Sequence, residues 1–169
     1  AELPLAHGVG TDVSAAALAC ARRNAMRHGV AGRLTTVQTD ILNGVTGLFD
    51  AVVSNPPYIP AREIAELSPD VRNFDPVLAL DGGEYGLAVY REIWRQINAL
   101  GCSPCVVLEV GAGQAQDVAA LFVCGDSEPR LWRTSFRRDL GGHVEHGADL
   151  LRERGHRVRL GQELRVGRL

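Results

Sequence analysis

The sequence predicts a doubly wound α/β fold, with helices covering both faces of a mainly parallel sheet. Short apolar runs suited to buried strands alternate with longer amphipathic runs suited to helices. Polar residues, Asp12, Asp40, Asn55 and Glu109, lie at or just past the carboxyl ends of four such apolar runs, the rim where ligands bind in sheets of this kind. A length of 169 residues, 46% hydrophobic and 22% charged, suits one domain with enough apolar material for a core.

HGVGTD (His7 to Asp12) reads as a strand ending in an acid. Ser14 is placed to cap a helix through AAALACARRNAMRHG, with Ala17, Leu18, Ala21 and Ala25 on one face and Gly29 at its end. LTTVQ (Leu34 to Gln38) is a second strand and FDAVVSN (Phe49 to Asn55) a third. A loop from about Pro56 to Gly83, rich in Pro, Asp and Gly, is long enough to be functional or disordered. Leu87, Tyr90, Ile93, Trp94 and Ile97 then recur at helical spacing and read as core. VVLEV (Val106 to Val110) is a fourth strand. A helix follows from about Gln114 to Phe122, and then a strand near Leu131 to Phe136.

Composition removes several function classes. A net charge of -2 gives no global attraction to nucleic acid or to an anionic membrane. All 18 basic residues are arginine, and six of them fall after residue 144. Cys102 and Cys105 form a CxxC without the second pair that a structural zinc site needs, so no metal site is expected. No apolar run reaches about 18 residues and nothing resembles a secretory signal, so a cytoplasmic protein without membrane contact is expected.

SNPPYIP (Ser54 to Pro60) is the most informative stretch. Two prolines directly after a strand cannot donate to the sheet, yet they fix the backbone. The Asn55 side-chain oxygen and the Pro56 carbonyl can then act as two preset acceptors, and the Tyr58 ring can cover a flat group. That arrangement suits methyl transfer to a planar amide nitrogen, a poor nucleophile that no side-chain base readily deprotonates. What helps is alignment, together with stabilisation of the positive charge the nitrogen acquires. At the other strand ends, Asp12 suits a ribose and Asp40 an exocyclic adenine amine, an adenosine-bearing cofactor between them.

NPPYIPAREIAELSPDVRNFDPVLALDGGEYGLAVYREI (Asn55 to Ile93) resembles the release factor glutamine methyltransferases of the HemK/PrmC type, and LEVGAGQ (Leu108 to Gln114) and RDLGGHV (Arg138 to Val144) add to the likeness. The resemblance implies a Rossmann-like class I methyltransferase sheet with S-adenosyl-L-methionine as cofactor. The partner it implies is a peptide chain release factor, methylated on the glutamine amide of its Gly-Gly-Gln loop, with no direct nucleic-acid contact. It places Asn55, Pro56, Pro57 and Tyr58 at the glutamine amide. Asp12 falls at the ribose, Asp40 and Ile41 by the adenine, and Asn55 also borders the cofactor. Ile41 stands where the family often has an aromatic, which keeps apolar contact without stacking.

The family also has an N-terminal helical domain and a first strand ending in D-x-G-x-G-x-G, between the strands that end at Asp12 and Asn55. Neither is found here, so residues 1–144 are expected to form a partial methyltransferase domain lacking the first strand and its glycine-rich loop. Residues 145–169 do not match the family and are expected to be a divergent tail, helical or disordered. Three alternatives remain open at this point. EVGAGQ (Glu109 to Gln114) is the cofactor loop of a permuted enzyme, the chain is a nucleic-acid amino-methyltransferase, or it is a non-catalytic remnant. The loop after NPPY argues against nucleic acid, since Arg62 and Arg72 face Glu63, Glu66, Asp70, Asp75 and Asp81.

Overall fold

The computed structural model describes residues 3–102 and 104–123, and the backbone of two further strands, 132–137 and 147–152. The elements are β1 (Gly8–Asp12), α1 (Ala15–Arg27), β2 (Leu34–Gln38), β3 (Ala51–Ser54), α2 (Pro69–Phe74), α3 (Ala88–Ala99), β4 (Cys105–Leu108), α4 (Ala115–Val123), β5 (Trp132–Arg137) and β6 (Gly147–Arg152). Local chemistry sets α1 at both ends. The extended Ser14 accepts the Ala17 N–H on its side chain at 3.2 Å. At the other end Gly29 and Val30 donate to Met26 and Ala25, closing the helix with the paired bonds of a glycine C-terminus.

β1 pairs with β2 in parallel, Asp12 opposite Gln38, and β3 pairs with β4 in parallel, Ser54 opposite Leu108. The alternation of strands and helices is therefore as the sequence predicts, but the sheet differs in two respects. Its strands form two separate ladders, β1-β2 and β3-β4-β6-β5. The second ladder is mixed, because β6 runs antiparallel to both β4 and β5. Among the described residues β1 and β3 each pair on one side only, and their side chains follow suit: Val9 is 42% exposed and Val53 54%, unusual for strands of a parallel sheet.

β6 corrects the expectation for the tail. Residues 147–152 are neither helix nor disordered; they form the strand between β4 and β5. Both neighbours have backbone groups that must be bonded, and an inserted antiparallel strand bonds them on each side. The remainder of the tail after Arg152, and the RDLGGHV element, lie outside the described residues. The long loop is also more ordered than its composition suggests. It contains α2, with Pro69 in its first turn, and 3-10 turns at Ala61–Glu66 and Val77–Ala79.

Among the described residues the main buried cluster lies in the β3–β4 half, while Leu18 and Ala25 of α1 are buried apart from it. Tyr90, Ile93 and Ile97 of α3 pack with Val106 and Leu108 of β4 and with Val110, Ala115, Val118 and Phe122. Trp94 meets Phe122 with ring centroids 4.7 Å apart, a tilted aromatic pair. The spacing of Tyr90, Ile93, Trp94 and Ile97 thus marks core, as the periodicity predicts. No described helix is long and apolar enough to cross a membrane.

Candidate active site

β3 delivers the SNPPYIP turn to the rim. The ladder continues one bond past it, Glu109 N–H to the Ser54 carbonyl at 3.0 Å, so β3 and β4 end level with each other. Asn55 is exposed, Pro56 buried, and Pro57 and Tyr58 half-buried. The chain then runs beside residues 80–83. Ile59 N–H donates to Leu80, Gly82 N–H to Ile59 and Ala61 N–H to Gly83, at 2.9–3.0 Å. The bonds that hold the turn therefore use Ser54, Tyr58 and Ile59, and leave the Asn55 side chain and the Pro56 carbonyl out.

Two glycines of the DGGEYG segment make this close approach feasible. A Cβ on Gly82 would lie 2.8 Å from the Tyr58 Cα and 2.9 Å from the Pro57 carbonyl. On Gly86, where φ is +72°, it would collide with the Tyr58 carbonyl and the Gln114 amide. From the other side Gln114 Nε2 donates to the Tyr58 carbonyl at 3.0 Å. Gly111 is buried, and a Cβ there would meet Gln114 Oε1 at 2.7 Å and the Tyr58 ring at 2.9 Å. EVGAGQ is thus a clasp filled by its own Gln114 and by Tyr58, not an open glycine loop, which corrects the permuted reading. Beneath it Tyr90, fully buried, donates its hydroxyl to the Glu109 carbonyl at 2.9 Å. Burial, and then the Tyr58 and Glu109 side chains, push the Tyr90 phenol far above its usual range, so it stays a neutral donor.

The predicted cofactor-side residues gather at the ends of β1 and β2. Asp12, half-buried, accepts the Ser14 N–H on Oδ1 at 2.7 Å, so one of its oxygens already serves the start of α1. Its backbone carbonyl accepts Thr39 N–H at 3.1 Å, tying β1 to the turn that carries Asp40 and Ile41. Asp40 is exposed and Ile41 half-buried. Ile41 has φ +54°, which costs a β-branched residue about 1–2 kcal/mol. Three further bonds stabilise that conformation: Asn43 N–H to Asp40, the Thr39 hydroxyl to the Asn43 carbonyl, and Leu42 N–H to Gln96 Oε1 on α3.

The structure therefore gathers Asp12, Asp40 and Ile41 in one group and Asn55 to Tyr58 in another. The two meet through α3, whose Gln96 reaches the first and whose Tyr90 supports the strand end beside the second. Sequence reasoning missed Gln96. Its signal was a polar residue three positions after Ile93, on the apolar face of a helix. A cavity of about 470 Å³ lined by Arg62, Glu63, Glu66 and Leu67 contains none of the predicted site residues.

The methyltransferase small domain family model matches residues 1–68. Release factor glutamine methyltransferase from Agrobacterium fabrum is 44% identical over 122 residues, 72% of this chain and 42% of the relative. The one from Bradyrhizobium diazoefficiens is 46% identical over 122 residues, 72% and 41% of the two chains. That from Rhodospirillum rubrum is 44% identical over 144 residues, 84% and 43%. The chain is a relative of the release factor glutamine methyltransferases. Its architecture is accordingly of the class I, Rossmann-like methyltransferase kind, and it spans less than half the length of these three relatives.

Proposed function

We propose that this chain carries the acceptor half of a methyltransferase that methylates a side-chain amide nitrogen of a glutamine in a peptide chain release factor, in the cytoplasm, with the Gly-Gly-Gln loop as the segment presented. The observation that carries this reading is the SNPPYIP turn. It is clamped on both sides through Tyr58 and Ile59, while the Asn55 side chain and the Pro56 carbonyl stay outside the clamping bonds. An amide NH₂ has two N–H donors, and these two acceptors suit one each. Holding both orients the nitrogen lone pair and stabilises the charge that develops on it. Tyr58, fixed by Gln114 and Gly111, limits where a flat acceptor can lie.

The residues at the ends of β1 and β2 suit the adenosine part of S-adenosyl-L-methionine. Asp12 has a second carboxylate oxygen for a ribose hydroxyl, and the Asp40–Ile41 turn offers an acid and an apolar surface to an adenine. When bound, the cofactor supplies the methyl group. We place the strand bearing the glycine loop for its methionine part between β1 and β3, the two edges that pair on one side only, and take residues 1–144 with the β6 strand as the methyltransferase unit.

The test is transfer of labelled methyl from S-adenosylmethionine by a relative that includes the remaining half, offered a release factor, DNA and RNA. Label on the release factor alone is expected; label on nucleic acid refutes the reading. In a relative that includes the remaining half, replacing the residue equivalent to Asn55 by Ala should cut turnover about 100-fold, the scale of one preorganised polar contact.

A further inference from the structure

We propose that Gln96 is a positioning residue for the cofactor-side turn: it holds the Leu42 N–H and so keeps Ile41 in the left-handed conformation that presents residues 40–42 to an adenine. The functional part of this inference rests on the cofactor reading given above; the structural part does not.

Gln96 is the one buried polar side chain among the described residues, 6% exposed, on a helix face it shares with Tyr90, Ile93 and Ile97. Its amide is used at both ends. Oε1 accepts the Leu42 N–H at 2.6 Å and Nε2 donates to Glu92 Oε1 at 2.6 Å. The orientation of the amide is fixed by its partners, because a backbone N–H only donates and a carboxylate only accepts. Glu92 is fixed in turn by Arg95, which donates to both of its carboxylate oxygens.

A chain of bonds thus runs from Arg95 through Glu92 and Gln96 to a backbone N–H 54 residues away in sequence. It ends beside a residue whose backbone is strained. Ile41 is the sole non-glycine residue at positive φ among the described residues. A strained conformation persists where surrounding structure over-determines it, and such residues concentrate at ligand sites. The other bonds of the turn are local, to Asp40, Asn43 and Asp12. Ile41 and Leu42 also pack against the core, and Gln96 adds the directional bond to it. Without that acceptor, the Leu42 N–H is left half-buried and unbonded, and Ile41 gains by relaxing to negative φ.

The experiment compares the wild-type chain with Gln96→Leu and with the swap Glu92→Gln/Gln96→Glu, which restores an acceptor at position 96 and a donor at 92. Amide hydrogen exchange by NMR is the first readout. In Gln96→Leu the Leu42 amide should exchange at least about 10-fold faster, with Ile93 and Ile97 in α3 changing less than about threefold. The swap should return Leu42 to within about threefold of wild type. Unchanged Leu42 protection in Gln96→Leu, or no recovery in the swap, overturns the assignment. Calorimetric titration with S-adenosylhomocysteine is the second readout, and a Kd raised about 10-fold in Gln96→Leu is expected. An unchanged Kd alongside a loosened Leu42 amide overturns the positioning role. If the wild-type chain gives no heat, the cofactor reading is what fails, and the exchange data still decide whether Gln96 holds the turn.

Discussion

Gly86→Ala is expected to be far more damaging than its size suggests, and Gly101→Ala serves as its internal reference. Both glycines have positive φ, +72° and +68°. A new methyl at Gly101 meets nothing within 4 Å, so that variant bears only the left-handed penalty of an L-residue, about 1–2 kcal/mol. At Gly86 the same penalty applies, and the methyl also overlaps the Tyr58 carbonyl and Gln114 Nε2. Relieving that overlap breaks the Gln114–Tyr58 bond, worth about 0.5–1.5 kcal/mol, and overpacks a closed site at about 1–3 kcal/mol. The gain from a stiffer unfolded chain is shared by both variants and cancels. Gly86→Ala should therefore lie about 2–4 kcal/mol below Gly101→Ala. With a urea dependence of about 1–3 kcal/mol per molar, the midpoints should separate by about 0.7–4 M. Equal midpoints would refute the claim that DGGEYG is glycine-rich in order to clasp the NPPY turn.

Other variants probe the supports of the site. Tyr90→Phe removes the donor to the Glu109 carbonyl and should cost about 1–2 kcal/mol by urea unfolding at pH 8. The neutral phenol is favoured in the fold, so the folded chain keeps a proton that the unfolded chain loses near pH 10, and stability falls as pH rises past 10. Tyr90→Phe should lack that contribution to the alkaline loss. Glu92 titrates at about 2, chiefly because the Arg95 side chain bonds its carboxylate and then because Gln96 does. The depressed value gives stability present above the unfolded pKa of 4.5 and lost towards pH 2, and solvent screening keeps it small at this half-exposed site. Arg95→Ala should move the NMR midpoint of Glu92 upwards, towards 4.5. Phe122→Ala, which empties a fully buried site against Trp94, should cost about 3–5 kcal/mol by calorimetry.

Much of the fold was legible because its signals are local. Ser14, Gly29 and the spacing of Tyr90, Ile93, Trp94 and Ile97 act within one or two helical turns, and the helices form where those residues place them. The NPPY turn was legible for the same reason, since proline restricts its own backbone whatever surrounds it. What escaped was non-local. The antiparallel entry of Gly147–Arg152 between β4 and β5 depends on two strands needing partners, which the short GADLLR sequence does not advertise. Gln96 looked like an interruption of an apolar face, and its partner Leu42 is 54 residues away. EVGAGQ resembled a cofactor loop because glycines admit a close approach of any kind; only the fold shows that the approaching group is Tyr58 of the same chain.

The division of the sheet bears on how the two groups of site residues are kept in register. β1-β2 and β3-β4-β6-β5 share no ladder bond, so backbone pairing does not set the position of Asp12 relative to Asn55. Packing of α1 does not set it either: its buried residues, Leu18 and Ala25, stand apart from the cluster around Tyr90 and Phe122. Among the described residues, the contacts that cross are Ile41 and Leu42 packed against that cluster and a hydrogen bond from Leu42 to Gln96. A hydrophobic contact alone tolerates sliding, because it has no preferred direction. A hydrogen bond to a buried amide, itself oriented by Glu92, does not. Alignment of a methyl donor with a nitrogen acceptor demands placement on the ångström scale. On this architecture that demand falls on α3, the element that touches both groups, and on Gln96 as its directional contact with the cofactor side.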